Sequence, residues 1–232
     1  MTPLVEARNL AIAGRIGPLD LNVHSNGLVA IVGPNGGGKT SLLRAIAQVE
    51  DAGGEVRIAG EPLSGLAPNR RTRLVGLLPA SREMVWPISV RDLVTLGLGP
   101  VDASAVEAAM HAFELDELAG RTVDRLSMGE RSRALLARIF AAKPRLLLLD
   151  EPLANLDPYW VRKVLGYLRK RRGEADAVSL VSLHDLTQLK HFDRVVAVHH
   201  GSIAFDGTPT EFQKSREFIE VFRVSASELD LV

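Results

Sequence analysis

The glycine-rich segment GPNGGGKT, at residues 33–40, restricts the possible folds of this chain more than any other part of its sequence. It follows the short apolar run GLVAIVG (27–33), which is typical of a buried parallel strand. It precedes KTSLLRAIAQV (39–49), whose apolar residues recur at helical spacing and predict a helix packed by one face. A glycine-rich turn in this setting exposes backbone N–H groups, and the helix start adds partial positive charge. The sequence therefore predicts an anion-binding loop between a strand and a helix.

The same segment satisfies the pattern G-x-x-x-x-G-K-[ST], which indicates that the bound anion is a nucleotide phosphate. Lys39 supplies a cation for the β- and γ-phosphates, and the Thr40 hydroxyl is a candidate ligand of Mg²⁺. The alternative is a glycine-rich turn that matches by accident, and the flanking strand and helix count against it. The predicted nucleotide contacts in this segment are Gly33, Pro34, Asn35, Gly36, Gly37, Gly38, Lys39, Thr40 and Ser41.

Composition limits the class of protein without defining its function. The chain has 232 residues, of which 46% are hydrophobic and 24% charged, as is ordinary for one globular domain. Lys and Arg balance Asp and Glu at 28 each, so no basic field favours nucleic acid or anionic lipid. The sequence has no cysteine, no signal-peptide pattern and no apolar run near the ~20 residues of a membrane-spanning helix. We therefore expect a soluble, cytoplasmic protein.

Two further apolar runs end in polar residues that suit nucleotide chemistry. RLLLLD (145–150) is typical of a buried strand, and acids at its end are costly unless their charge is compensated. In an open α/β sheet, ligands bind at this carboxyl edge. Asp150 is therefore a candidate for the Mg²⁺ shell, and Glu151 for orienting or activating water against a γ-phosphate. His184 follows the strand predicted in 177–185 and points to the same edge. Taken alone, these residues would be two surface acids and a structural histidine.

Strand and helix signals alternate along most of the chain. EVRIAG (55–60) alternates like a strand of a half-exposed sheet, and residues 194–207 predict a hairpin that turns at Gly201 and Ser202. In the middle of the chain the strand signals fade and helical patterns dominate. We therefore predict a single domain, 1–232, made of an α/β nucleotide-binding core (1–78 and 136–232) and an inserted helical subdomain (79–135).

In order and spacing, these segments resemble the nucleotide-binding subunit of ATP-binding cassette (ABC) transporters. GPNGGGKT is similar to the family's Walker A loop, and LLLLDE (146–151) to its Walker B strand with the catalytic glutamate. ANLD (154–157) resembles the D-loop, and His184 the switch histidine. The resemblance covers nearly the whole chain. It implies an α/β fold of the P-loop NTPase type, with a mostly parallel sheet, an N-terminal antiparallel β part and an inserted helical subdomain, and with ATP and Mg²⁺ as cofactors.

LSMGE (126–130) resembles the family's signature motif, with Met128-Gly129-Glu130 where the family usually has Gly-Gly-Gln. In the family, two subunits pack head to tail, and the signature of one closes over the ATP bound by the other. The resemblance implies that Ser127, Gly129 and Glu130 contact the ATP of a second ABC subunit in a head-to-tail homodimer. A plain helix N-cap is the local alternative, because Ser127 and Glu130 have the spacing of a capping box, and the two interpretations are compatible.

Two positions depart from the family's pattern. Ala80, in VGLLPAS, stands where the family has a glutamine that reaches towards Mg²⁺ and the attacking water. The segment upstream of GPNGGGKT has no aromatic residue to stack on adenine. Arg15 is the candidate replacement, because a guanidinium plane can stack on a base, and a solvated loop arginine is the alternative. We expect ATP binding and some hydrolysis to survive, and communication with a membrane permease to be altered or carried by neighbours such as Ser81 and Arg82.

The resemblance also predicts partners and location. PISVRDLVTLG (87–97) and DGTPTEF (206–212) are similar to ATPases of importers for metal chelates, siderophores, haem and vitamin B12 (cobalamin). The leading function is the ATP-hydrolysing subunit of such an importer, bound to integral membrane permease subunits at the inner face of the cell membrane. A catalytically weak regulatory subunit and a soluble, non-transport ABC ATPase are the alternatives. The basic run RKRR (169–172) is interpreted as a solvated helix end and not as a nucleic-acid site.

Overall fold

A computed structural model of the protein, which describes residues 3–82, 84, 86–98, 103–174 and 176–231, has strands and helices in alternation. The strands are β1 (Val5–Ile12), β2 (Ile16–Val23), β3 (Leu28–Val32), β4 (Gly53–Ile58), β5 (Glu61–Pro62), β6 (Val75–Leu78), β7 (Leu146–Leu149), β8 (Val178–Ser182), β9 (Arg194–His199) and β10 (Ser202–Gly207). The helices are α1 (Lys39–Ile46), α2 (Pro68–Leu74), α3 (Val90–Thr95), α4 (Ala103–Ala112), α5 (Met128–Ala141), α6 (Pro158–Arg172), α7 (Pro209–Lys214) and α8 (Arg216–Phe222).

Across the described residues, these strands form two sheets. The first sheet is antiparallel, with the order β2-β1-β4-β5. The second has the order β10-β9-β3-β8-β7-β6, and all its neighbours pair in parallel except β10, which is an antiparallel edge strand. Strands β3, β7 and β8 are buried along their whole length, which explains why β3 and β7 are continuous apolar runs, while β8 also contains Ser179 and Ser182. The predicted fold class, a mostly parallel sheet with an N-terminal antiparallel part, is confirmed.

The strand order brings the predicted site segments to one place. Strand β3 lies between β8 and β9, and β8 in turn lies between β3 and β7. Parallel neighbours end at the same edge of a sheet, so the loop after β3, the acids after β7 and the histidine after β8 all emerge at one carboxyl edge. In open α/β sheets this is the edge where ligands bind.

Two apolar clusters cover the two faces of the parallel sheet. One contains Val29 and Ile31 of β3 together with α1 and the antiparallel strands β1, β2 and β4. The other contains Ala30 and Val32 together with the buried faces of α3 to α8. Alternate residues of β3 divide between the clusters because successive side chains of a strand point to opposite faces. The glycine-rich loop thus follows a strand that is fixed on both sides.

Between β6 and β7 the described residues form the helices α3, α4 and α5, two short 3₁₀ turns and one isolated bridge between Ser89 and Thr122. Helix α5 runs through the predicted boundary at residues 135 and 136, and its buried face belongs to the same cluster as β7 and α6. The division into a core and a helical subdomain stays a prediction. Of the helices that the structure describes, none combines the length and apolar character needed to span a bilayer.

The hairpin of β9 and β10 turns one residue earlier than predicted. His200 and Gly201 form the turn, both with left-handed φ (49° and 72°), and Ser202 already pairs with His199 as the first residue of β10. A two-residue hairpin of type I′ requires positive φ at both central residues, so Ser202 was the wrong turn residue. The Gly201 N–H donates to the Gly37 carbonyl oxygen (3.1 Å), so the turn also contacts the glycine-rich loop.

The basic run at residues 169–172 is not solvated throughout, and the prediction is wrong for Arg171. This residue is only 6% exposed, because it lies three positions beyond Leu168 on the inward face of α6. Its guanidinium donates to the carbonyl oxygens of Pro144 and Arg145. The other three basic residues of the run are exposed, as expected for a helix end.

Candidate nucleotide-binding site

A cavity of 790 Å³ lies at the carboxyl edge of β3. The glycine-rich loop lines it from Pro34 to Ser41, so every predicted contact of that loop except Gly33 faces the cavity. The remaining walls come from the start of β2, from the loop after β7 and from the hairpin turn. Their lining residues are Gly14, Arg15, Ile16, Gly17, Glu151, His200 and Gly201.

Backbone geometry explains two of the loop's glycines. Gly33 has a φ of 149°, and a Cβ there would lie 2.1 Å from the Val198 carbonyl oxygen of β9, closer than atoms can approach. Gly38, the N-cap of α1, has a φ of 112°, which side-chain-bearing residues rarely adopt. The loop can therefore pack against β9 and enter α1 directly. The first N–H groups of α1 have no partner within the helix, which is the arrangement an anion requires.

Lys39 is buried at the base of this loop and 6% exposed. Its ammonium donates to the carbonyl oxygens of Gly33 (2.8 Å) and Pro34 (3.2 Å). Burial lowers the pKa of Lys39, and the charges of Glu151 and Asp150 oppose that shift. The ammonium is thus held by neutral acceptors beside the cavity, where an anionic phosphate would be a stronger partner.

Asp150 is 1% exposed, and its two carboxylate oxygens differ. Oδ1 accepts a hydrogen bond from the Ser182 hydroxyl (2.7 Å), whereas Oδ2 is buried without a partner among the described residues. An unpaired buried carboxylate oxygen is costly unless a cation or a cation-bound water completes it. The residues present therefore fit a hard cation such as Mg²⁺, which prefers one or two protein oxygens together with water and phosphate. Thr40, the other predicted ligand, lines the adjacent cavity.

Glu151 reaches the cavity and pairs with His184. Glu151 Oε1 lies 2.6 Å from His184 Nε2, a hydrogen bond in which the carboxylate accepts and Nε2 carries the proton. The backbone of Glu151 has a left-handed φ of 52°, and its N–H donates to Ser182 Oγ (2.8 Å). Ser182 therefore joins Asp150 and Glu151 through one hydroxyl. Sequence reasoning missed this serine, although a serine at the end of a predicted buried strand, two residues before His184, was a detectable signal.

Arg15 lies at the rim of the cavity, where its side chain is 52% exposed. It forms an ion pair with Glu50 (3.0 Å), which also pairs with Arg44 (2.7 Å). The structure thus places Arg15 beside the predicted nucleotide and gives it a carboxylate partner. Its stacking on adenine stays a prediction.

The signature residues Ser127, Gly129 and Glu130 lie at the start of α5 and do not line the cavity. The predicted capping box is present: the Glu130 N–H donates to Ser127 Oγ (3.3 Å), and the Ser127 N–H donates to Glu130 Oε2 (2.8 Å). That backbone N–H is the main cause of the lowered pKa of Glu130. A Cβ on Gly129 would lie 3.6 Å from the Asn155 carbonyl oxygen, which places the signature beside the 154–157 segment.

These features define a class: a nucleotide-binding protein with an ABC-type arrangement of loop, acids and histidine. The family model described as ABC transporter matches residues 16–154, more than half of the chain. The chain belongs to the ABC transporter family and has the ATPase domain of that family.

Curated relatives of this chain include several hemin importer subunits. The chain is similar to the hemin import ATP-binding protein HmuV of Streptomyces coelicolor, with 39% identity over 203 residues that cover 83% of this chain and 72% of that protein. It is also similar to HmuV of Bordetella avium, with 32% identity over 227 residues that cover 91% of this chain and 87% of that protein. Both alignments extend well beyond the glycine-rich loop.

Solved structures share the fold. CbiO1 of Clostridium perfringens, part of the ABC transporter complex cbiONQ, superposes with a TM-score of 0.76 at 20% identity and covers 95% of this chain and 94% of its own. A dimeric ATP-binding cassette in a post-hydrolysis state, bound to ADP and Pi, superposes with a TM-score of 0.79 at 21% identity, covering 88% of this chain and 98% of its own. At these identities the likeness shows the fold.

Proposed function

We propose that the protein is the ATP-binding and ATP-hydrolysing subunit of an ABC importer. The observation that carries this proposal is the arrangement at the carboxyl edge of the parallel sheet. A buried ammonium (Lys39) and the Glu151 carboxylate line one cavity there. Asp150 does not line that cavity; it precedes Glu151 and has one buried oxygen without a partner among the described residues. His184 pairs with Glu151 and lines a second cavity that Glu151 shares. Phosphate binding, cation binding and water activation need those three kinds of group.

The loop from Gly33 to Ser41 is proposed to hold the phosphates. Its backbone N–H groups and the start of α1 would surround the phosphate oxygens, and Lys39 would exchange its carbonyl partners for the β- and γ-phosphates. Arg15 is proposed to stack on the adenine at the rim of the cavity. That role requires Arg15 to turn its guanidinium face away from Glu50 or to share it with the base.

Thr40 and Asp150 are proposed to hold Mg²⁺, directly or through water. A bound Mg²⁺ would supply positive charge that offsets the negative charge developing during phosphoryl transfer. Ser182 keeps Asp150 Oδ1 engaged, so that Oδ2 is the oxygen left for the cation. The carboxylate is thus oriented before the ligand arrives.

Glu151 is proposed to orient the attacking water and accept its proton, and His184 to contact the γ-phosphate. The 2.6 Å hydrogen bond fixes the direction of the Glu151 carboxylate and the tautomer of His184, since Nε2 must carry the proton. The imidazole can share that proton with a phosphate oxygen as the γ-phosphate moves towards the water.

The signature residues need a second subunit to reach ATP. Ser127, Gly129 and Glu130 lie outside the cavity of their own chain, so they are proposed to close over the ATP of a partner in a head-to-tail homodimer. The start of α5 would then present a helix N-terminus to the γ-phosphate. Each cavity is half of a site until the dimer forms.

The cargo is proposed to be haem or a related metal chelate, such as a siderophore complex or cobalamin. Support comes from the relatives that are named hemin import ATP-binding proteins. The partners on this proposal are integral membrane permease subunits, which would hold the protein at the inner face of the cell membrane. The neighbour that belongs to the cbiONQ complex is consistent with such an assembly.

Ala80 favours a second candidate, a regulatory subunit with weak catalysis. The side chain that follows β6 is a methyl group, which can neither bind Mg²⁺ nor orient water. Water is an adequate ligand for Mg²⁺, however, because the ion normally keeps several. The other groups of the site are present, so we place hydrolysis first.

Lys39→Ala tests the proposed function. We expect Mg²⁺-dependent ATP hydrolysis to fall to background and the rise in melting temperature on adding ATP to disappear, because the phosphate cation is gone. The control is Lys214→Ala, which removes an exposed lysine of α7 and should leave both unchanged. Turnover in Lys39→Ala equal to that of the wild type would refute the assignment.

Co-purification of the protein with a permease, followed by uptake of haem in vesicles, tests the transport part of the proposal separately.

A further inference from the structure

Arg82 is a buried cation that the proposed mechanism does not use. It follows β6 and Ala80, and it is 8% exposed and lies outside the lining of the cavity. Burial lowers the pKa of Arg82, and the charges of Glu151 and Asp150 oppose that shift. A guanidinium in such a place is unfavourable unless its N–H groups find acceptors. Its partners therefore indicate what it does.

The acceptors of Arg82 belong to two separate parts of the fold. Nη1 donates to the Ser132 hydroxyl of α5 (2.8 Å) and, at 3.4 Å, to the carbonyl oxygen of Ala154. Nη2 donates to the carbonyl oxygen of Glu151 (2.6 Å). One side chain thus connects the helix that begins at the signature with the first and last residues of the segment 151–154, which lies in the loop after β7.

The loop after β7 needs such support, because its backbone is strained. Glu151 has a φ of 52° and Asn155 a φ of 61°, in the left-handed region that side-chain-bearing residues adopt infrequently. The carbonyl oxygen of Glu151 accepts from Arg82 and from the Ala154 N–H (3.2 Å), while its N–H donates to Ser182. The peptide groups on both sides of the Glu151 Cα are therefore fixed, and with them the direction of its side chain.

We propose that Arg82 is a positioning residue that holds Glu151 in its left-handed conformation and ties the signature helix α5 to the loop 151–154. This inference rests on the proposed function for its catalytic consequence. Arg82 does not line the cavity, and it acts through the backbone of Glu151 and through Ser132. Because Ser127 is the N-cap of α5, the same guanidinium sets the position of the signature residues relative to Glu151 of their own chain.

The chain provides a matched control in Arg171. This arginine is buried to the same degree (6% exposed), and its guanidinium likewise donates to two backbone carbonyl oxygens, those of Pro144 and Arg145. Its acceptors precede β7, at the opposite edge of the sheet from the candidate site. Removing Arg171 therefore reproduces the loss of a buried guanidinium without touching the loop 151–154.

The experiment compares Arg82→Ala, Arg82→Lys and Arg171→Ala in the full chain by hydrogen exchange and by steady-state ATP hydrolysis. In Arg82→Ala we expect the Glu151 and Ala154 amides to exchange faster, and kcat to fall about tenfold or more with the KM for ATP changed by less than about twofold. Arg82→Lys should recover part of both losses, since a lysine ammonium can reach one of the acceptors. Arg171→Ala should lower the melting temperature but leave exchange in residues 151–154 and kcat per folded molecule unchanged.

Two results would overturn the proposal. One is unchanged exchange at Glu151 and Ala154 in Arg82→Ala, or in Arg82→Lys if the alanine variant does not fold. The other is a kcat that falls as much in Arg171→Ala as in Arg82→Ala. Hydrogen exchange can be measured whether or not the protein hydrolyses ATP. A wild-type chain that hydrolyses no ATP would therefore refute the proposed function, while the exchange of the Glu151 and Ala154 amides would still test the positioning role of Arg82.

Discussion

The carboxyl edge of the parallel sheet and the start of α5 both carry residues predicted to contact ATP, but their polar groups are satisfied in different ways. Among the described residues, Asp150 Oδ2 at the sheet edge is buried without a partner, and the hydrogen-bond acceptors of Lys39 are neutral carbonyl groups. At the start of α5, Ser127 and Glu130 satisfy each other, and the neighbouring Met128 is 61% exposed. A phosphate and its cation therefore gain more at the sheet edge than at α5. The difference predicts that ATP binds the loop first and that the signature adds its contacts on dimer closure.

The largest effect is expected from replacing Glu151, the proposed base at the sheet edge. In Glu151→Gln the hydrogen bond to His184 keeps an acceptor, but the charge proposed to polarise water is lost, and we expect kcat to fall by about 10²–10⁴-fold. ATP should then hold a closed dimer, detected as a doubled mass on size exclusion in the presence of Mg²⁺-ATP. The control is Glu174→Gln, an exposed acid whose ion pair with Arg171 lies away from the site. Normal hydrolysis in Glu151→Gln would mean that the base lies elsewhere.

A second test of the comparison between the sheet edge and the start of α5 uses Ala80. This residue lies after β6 at the same sheet edge, and its side chain supplies no polar group. We expect the wild type to hydrolyse ATP, with a response to the permease that differs from that of Ala80→Gln by about fivefold or more. The measurement is the ATPase rate of both proteins with and without the permease in vesicles. An Ala80→Ser variant controls for the change in size and polarity. A wild type that is inert in both states, with activity restored in Ala80→Gln, would instead favour the regulatory candidate.

The smallest effect is expected at the start of α5. Glu130→Gln keeps an acceptor for the Ser127 N–H and removes a negative charge from the place where a phosphate is proposed to bind. We expect the ATP-dependent dimer to become about threefold tighter, by analytical ultracentrifugation at several protein concentrations. The control is Glu211→Gln, which changes the equivalent capping box with Thr208 at α7 and should not alter dimer formation. Equal dimer affinities in the wild type and Glu130→Gln would mean that the Glu130 carboxylate does not lie near the bound phosphate.

The difference in folding stability between the wild type and Glu130→Gln should depend on pH. The Ser127 N–H holds the pKa of Glu130 below its ordinary value of 4.5, so the charged carboxylate stabilises the folded state. That contribution is fully present above the unfolded pKa and is lost as the pH falls through the folded pKa. The stability difference between the wild type and Glu130→Gln should therefore be largest near neutral pH and shrink below pH 4.5. A difference that grows in acid would contradict the capping geometry.

Much of the fold followed from local sequence patterns. The loop at residues 33–40 was identifiable because its glycines, lysine and threonine are consecutive and because a buried strand and a helix flank it. Buried parallel strands were identifiable as continuous apolar runs. The end of α1 and the hairpin turn were less accurate. Helix α1 ends at Ile46, three residues before the predicted end, since the apolar pattern continues beyond the last helical residue.

Local sequence patterns could not predict hydrogen bonds between residues that lie far apart in the chain. Arg82 and its acceptors in α5 and after β7 are 50 and 69 residues apart in the chain, and Ser182 lies 31 residues from Glu151. No local pattern records which backbone carbonyl a distant guanidinium will meet. The burial of Arg171 was missed for a related reason, because four consecutive basic residues suggest a solvated surface until the helix is packed.

The sequence by itself determined which chemical groups are proposed to act on a bound nucleotide: the glycine-rich loop, Lys39, the two acids after β7 and the histidine after β8. Their identity is local, since each belongs to a short segment with its own strand or turn signal. Only the tertiary structure decided how those groups are held. The strand order placed three loops at one edge, Ser182 left one oxygen of Asp150 unpaired, and Arg82 fixed the left-handed backbone of Glu151. These relations join residues far apart in the chain, and they exist only once the sheet and α5 have packed together.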